Sequence, residues 1–202
     1  MDLSLTALKT LPLVEVGADL PALLDTALQA AKLELVDGDI LVIAQKIISK
    51  SEGRYALLDE IEPSTEALHW AAKVDKDPRL VQLILDESKE VVRHRPGVMI
   101  VEHRCGYVHA NAGIDRSNIT DFEGRERVLL LPTDANLSSK QLADYFAQQG
   151  LKIGIIISDS AGRAWRNGIT GFALGSAGVP SLRSAIGASD LFRSEARSGG
   201  HE

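Results

Sequence analysis

The sequence predicts a mixed fold of helices and short strands, built as one domain or two intimately joined halves. Three observations lead there. Apolar residues recur at helical spacing in several segments, short continuous apolar runs lie between them, and neither a fixed-period repeat nor a low-complexity linker divides the 202 residues.

Residues 21–33 carry Leu23, Leu24, Ala27, Leu28 and Ala31 at helical spacing, with Asp19 ahead of Pro21 as a start signal. The Asp37-Gly38-Asp39 turn then introduces the apolar run 40–44, which reads as a strand buried on both faces. Residues 45–53 form a polar segment at its end. Glu62-Pro63-Ser64 predicts a helix entry running to about residue 73, and Pro78 opens a second helix with Leu80, Leu83, Ile84 and Val91. Residues 98–102 and 107–110, flanking Cys105-Gly106, predict a hairpin that feeds the loop NAGIDRSN. A short strand at 128–131, a helix at 138–149 ended by Gly150, and an apolar strand at 153–157 stopping at Ser158-Asp159-Ser160 follow. The stretch SDLFRSEARSGGHE loses periodicity, so the domain is expected over residues 1–191 and a disordered tail over 192–202.

Composition excludes several classes. A net charge of -6 argues against sequence-independent nucleic-acid binding, which needs excess Lys and Arg to neutralise phosphates. One cysteine, Cys105, rules out an internal disulfide and a thiolate-rich zinc site. No leader is visible and no apolar run reaches the roughly 18–20 residues a spanning helix needs, so a cytoplasmic protein with no membrane partner is expected.

Three loops at strand ends concentrate the chemistry. In AQKIISKSEG, Lys46 and Lys50 with Ser49 and Ser51 could meet a triphosphate, although the spacing is not that of a P-loop; surface lysines flanking a strand are the plainer reading. In NAGIDRSN, Asp115 stands among Asn111, Asn118 and Gly113; a carboxylate with amide neighbours suits a hard cation, or else simply closes a turn. In SDSAGRAWRNG, Asp159 and Ser160 could ligate a metal while Arg163 and Arg166 offset phosphate charge. The alternative there is a salt-bridged loop anchored by Trp165. His69, His94, His103 and His109 show no pair at metal-ligand spacing, and Cys105 reads as a small packed residue, so none is assigned a role.

Over residues 11–191 the strings LPLVEVGADL, VIAQKIISKSEGR, DPRLVQLILDESKEVVR, GYVHANAGIDRSNI and IIISDSAGRAWRNGITGFALGSAG occur in order, and together the sequence resembles the coenzyme F420-0:L-glutamate ligase (F420-0:gamma-glutamyl ligase) family. The resemblance implies an α+β fold with mixed sheets, flanking helices and intertwined halves, in a homodimer. It implies a ligase that uses GTP to phosphorylate a carboxylate of F420-0 and then joins it to L-glutamate, with Mg2+ or Mn2+ and a monovalent ion such as K+. By position, Asp115, Asp159 and Ser160 match metal ligands, while Leu11, Pro12, Leu13, Gln45, Lys46, Lys50 and Asn118 match nucleotide contacts. Lys50, Arg163 and Arg166 are the expected catalytic cations. Members usually continue past the GFALGSAG-like strand, so the chain is expected to be short at its carboxyl end. A non-catalytic F420- or partner-binding relative, or a phosphohydrolase using the same aspartates, are the alternatives.

Overall fold

A computed structural model of the chain describes residues 3–117, 119, 121–162, 165, 167–182, 184 and 186. Among them are five α-helices and eight strands: α1 (Leu20–Ala31), β1 (Ile40–Ala44), α2 (Gln45–Ser51), β2 (Tyr55–Leu57), α3 (Thr65–Val74), α4 (Pro78–Asp86), β3 (Ser88–Arg95), β4 (Val98–His103), β5 (Val108–Ala110), β6 (Arg127–Leu129), α5 (Ala135–Gln148), β7 (Gly154–Gly162) and β8 (Ile169–Ala177). The fold is α+β with mixed sheets and flanking helices, as expected.

Local chemistry sets the helix starts. Asp19, Ser64, Asp77 and Asp134 cap α1, α3, α4 and α5, each accepting a hydrogen bond from a main-chain N–H of the first turn. The Asp134 cap starts α5 three residues before the expected Ser138.

The strands form three small sheets, ordered β1-β7-β8, β2-β6 and β3-β4-β5. The first is mixed, with β1 parallel to β7 and β7 antiparallel to β8; the other two are antiparallel. These sheets serve two apolar cores. Residues such as Leu24, Leu28, Ile43 and Ile48 from the first part of the chain share one core with Phe146, Ile155, Ile157 and Leu174 from the last part. Leu58, Val74, Val81, Ile84, Met99, Val101 and Val128 build the second from the segment between. The chain thus leaves the first core after α2, completes the second, and returns.

The return is made at adjacent residues. Leu130 faces the second core and Leu131 the first, which explains why this stretch is apolar without alternation. Arg54 pins the crossing: its main-chain carbonyl accepts from Leu130 N at 2.9 Å and its Nε donates to Leu131 O at 2.9 Å. Its guanidinium also donates to both carboxylate oxygens of Glu87, at 2.9 and 3.0 Å. Arg104 reaches the same carboxylate at 3.1 Å. His103 is fully buried and stacks on Tyr107; its Nδ1 accepts from Cys105 N, which leaves Nε2–H directed at Glu87, 3.4 Å away.

Several sequence expectations are corrected. The polar segment after β1 is the helix α2, because Ser49 and Gln45 satisfy each other inside it (Ser49 Oγ to Gln45 Oε1, 2.9 Å) and become buriable. β1 is buried on one face only: Ile43 is 6% exposed, while Ile40 and Val42 are 50% and 62% exposed. Val91 belongs to β3, not to a longer α4, which ends at Asp86. β7 does not stop at Ser158 but runs through Gly162, pairing with β8 all the way. Cys105 and Trp165 are exposed, so the first is not a packed residue and the second anchors nothing. Residues 187–202, including the expected tail, lie outside the described residues.

Candidate active site

The site forms where the parallel pair β1–β7 ends. Ala44 lies opposite Ser158 in that register, so Lys46 on α2 follows the end of β1 and Asp159 on β7 follows the last paired residue. Ligands in parallel sheets characteristically sit beyond such carboxyl ends.

Alternation along β7 orients Asp159. The period that buries Ile155 and Ile157 turns Asp159 to the same side, just past the apolar core. A register shift between Ile157 and Ser158 leaves Leu174 of β8 as the extra residue at this point. Such bulges commonly adjust side chains beside active sites. Asp159 Oδ2 lies 3.2 Å from His109 Nε2, and its Oδ1 accepts from Ser160 N at 2.8 Å. His109, 9% exposed, has Nδ1 3.0 Å from Ala110 O and packs its ring near Phe172. Oxygens of Ala110 and Asp159 thus face both of its ring nitrogens and fix the orientation of the ring.

Asp115 is placed by a strained turn. Asn111, Ala112 and Gly113 all take positive φ (50°, 53° and 69°), and Asn111 Oδ1 secures the turn by accepting from Met99 N at 3.1 Å. A side chain at Gly113 would meet Leu131 at 2.7 Å. Asp115 then exchanges both main-chain hydrogen bonds with Leu129 of β6, at 2.9 Å each, which fixes its carboxylate against that strand. Its Oδ1 accepts from Ser117 N and Oγ at 2.6 and 2.7 Å, and its Oδ2 meets Lys46 Nζ at 2.5 Å. Burial alone would raise the pKa of Asp115, but the hydrogen bonds from Lys46 and Ser117 outweigh it and hold the carboxyl below its ordinary value.

Of the residues expected from sequence, Lys46 and Asp115 are brought into direct contact, and Asp159 lies on β7 just past the last residue that pairs with β1. Ser160 follows it and is exposed. Gln45 is 3% exposed with its side chain given to Ser49, so a nucleotide contact from it would come from the main chain. Lys50 is half-buried on α2. Leu11 packs against the first core, whereas Pro12 and Leu13 are exposed. Asn118, Arg163 and Arg166 lie outside the described residues. Sequence reasoning missed His109, whose partner is 50 positions away, and Ser117, which the Asp-x-Ser spacing could have indicated as an Asx turn.

The oxygen chemistry of the two aspartates is of the kind a hard divalent cation takes. Asp115 and Asp159 offer carboxylate oxygens from two separate segments, and the Lys46 ammonium already occupies a cation position beside Asp115. Among the described residues, no three His, Cys, Asp or Glu side chains converge on one point. An ion here would therefore take further ligands from hydroxyls, main chain, water or phosphate, which is the habit of magnesium.

Comparison with known proteins places the chain in a family. The sequence profile of the F420-0:Gamma-glutamyl ligase family matches residues 9–200. The chain is 40% identical over 193 residues to a coenzyme F420:L-glutamate ligase of Methanothermobacter thermautotrophicus, covering 95% of this chain and 75% of the relative. It is 41% identical to the protein of that name from Methanopyrus kandleri, covering 90% and 69%, and 38% identical to that from Archaeoglobus fulgidus, covering 92% and 71%. The chain belongs to the F420-0:gamma-glutamyl ligase family.

Proposed function

We propose that this chain joins L-glutamate to F420-0 at the cost of GTP, through an acyl phosphate. The observation that carries this reading is that each of two carboxylates expected at the site has a basic partner, Asp115 with Lys46 just after β1 and Asp159 of β7 with His109. Two carboxylates with basic partners suit phosphoryl transfer, which depends on positioning and charge neutralisation more than on a protein nucleophile. The names of the curated relatives support the substrate pair.

In this reading a carboxylate oxygen of F420-0 attacks the terminal phosphorus of GTP, and the bond to GDP breaks. The amino nitrogen of glutamate then attacks the acyl carbon, phosphate leaves, and the nitrogen loses a proton. Lys46, and Lys50 on the same helix, offset the charge on the phosphates. Arg163 and Arg166 are assigned the same task from sequence. Asp115, Asp159 and Ser160 would hold Mg2+ or Mn2+, which supplies further neutralisation of phosphate oxygens. His109 holds the Asp159 carboxylate in place from behind.

The proposal includes a homodimer. In its favour, β1 is the edge of its sheet and presents Ile40 and Val42 outward. Sedimentation equilibrium tests this directly. Calorimetric GTP binding, in buffer containing K+, tests the site: binding that requires Mg2+ or Mn2+ and is lost in Asp159→Asn is expected. Absence of binding under every metal condition would overturn the reading, and GTP hydrolysis indifferent to F420-0 and glutamate would replace it with a phosphohydrolase.

A further inference from the structure

A groove of about 1030 Å3 runs across the β3-β4-β5 sheet and reaches His109 and Ser160, the neighbours of Asp159 in space and in sequence. One wall is the β7–β8 pair, including Ser160 and Phe172; His109, whose Nε2 faces Asp159, lies at the same end. The opposite side is the outer face of the sheet. In its register Arg93 pairs with Ile100 and Arg95 with Val98, so these four side chains share one face. Met99 and Val101 point the other way into the second core and are fully buried. Val108 and Ala110 extend the groove face across β5, since they register with Glu102 and Ile100.

The groove therefore has two chemistries along its length. At the His109 and Ser160 end it is polar; its middle is aliphatic, from Val98, Ile100 and Ala110; at the sheet's far strand stand two arginines. Both arginines are exposed, and among the described residues neither has a carboxylate partner, although the chain as a whole is acidic. His94, between them in sequence, faces away and packs on Trp70 at 5.1 Å between ring centroids. Two guanidinium groups two residues apart on one strand face present parallel forks to the same space, a geometry suited to carboxylate or phosphate oxygens.

We propose that this groove holds the carboxylate acceptor, with its reacting carboxylate at the Ser160 end and a second anionic group, phosphate or carboxylate, bound by Arg93 and Arg95. The aliphatic floor covers the body of the molecule between those ends. The assignment rests on the ligase reading and names where its acceptor lies. It makes Arg93 and Arg95 binding residues for the acceptor alone, without a part in the bond-making steps.

Equilibrium dialysis tests it without requiring turnover, using F420-0 in one arm and GTP with Mg2+ in the other. The Arg93→Ala/Arg95→Ala variant is expected to bind F420-0 at least about tenfold more weakly, and GTP within about twofold of the wild type. Arg93→Lys/Arg95→Lys, which keeps charge but loses the fork, falls between. Unchanged F420-0 binding in the alanine variant would overturn the proposal, as would a parallel loss of GTP, or wild-type protein that binds no F420-0. Arginine-dependent F420-0 binding in a protein that forms no amide would sink the ligase reading and leave the groove assignment standing.

Discussion

Replacing Glu87 by alanine tests how the two cores are joined. Glu87 is the common carboxylate partner of Arg54, Arg104 and His103, and its side chain is 6% exposed against 19% for Arg54, 42% for Arg104 and 0% for His103. Burial alone would raise its pKa; the close approach of His103, the charges of Arg54 and Arg104 and the hydrogen bonds from Arg54 outweigh that and hold it below its ordinary value. Removing it strands the mostly buried Arg54 guanidinium, and breaking a buried pair from one side costs about 3–5 kcal/mol. For a chain of this size each kcal/mol moves the unfolding midpoint by about 2–4 °C, so a fall of roughly 6–20 °C follows. Arg104 is more than a third exposed, and Arg104→Ala should cost under about 1 kcal/mol. Because the folded pKa of Glu87 is depressed, its contribution is complete above 4.5 and is lost as pH falls through the lower folded value. Thermal unfolding by circular dichroism across that range should show Glu87→Gln with a flatter acid limb than the wild type. A Glu87→Ala midpoint within about 2 °C of wild type, or an Arg104→Ala loss as large as that of Glu87→Ala, would refute the reasoning.

Three further outcomes follow from local geometry. A Cβ at Gly175 would lie 2.3 Å from the main-chain carbonyl carbon of Ala135, so Gly175→Ala must push α5 off β8; a loss of at least about 3 kcal/mol in urea unfolding is expected, with a wild-type midpoint contradicting it. Lys46→Ala removes both the charge assigned to phosphate and the partner of Asp115, and GTP affinity by calorimetry should fall about tenfold. His109→Ala frees the Asp159 carboxylate, and glutamylation should drop by about 10- to 100-fold; activity within twofold would remove His109 from the site.

Much of the architecture was legible because its signals are local. Asp19, Ser64 and Pro78 mark helix starts locally, and the apolar runs of β1, β4 and β7 announce strands. What escaped was settled at longer range. Gln45 and Ser49 look like loop residues until they bond to each other inside α2. The SKEVVRHR stretch reads equally as a helix tail, and only pairing with β4 makes it β3. Partnership of β1 with β7 joins residues such as Ile43 and Ile157 across the whole second core, and no spacing rule reveals it. The same holds for the site: Asp115 and Asp159 were visible from their loops, whereas the Lys46 contact and the His109 contact exist only once the cores are nested.

The most direct test is to incubate the chain with F420-0, L-glutamate, GTP and Mg2+ or Mn2+ and follow the product by mass spectrometry. Formation of F420-0 carrying a glutamyl residue, dependent on GTP and abolished in Asp159→Asn, is the predicted result; no product from folded wild-type protein, or undiminished product from Asp159→Asn, would contradict it.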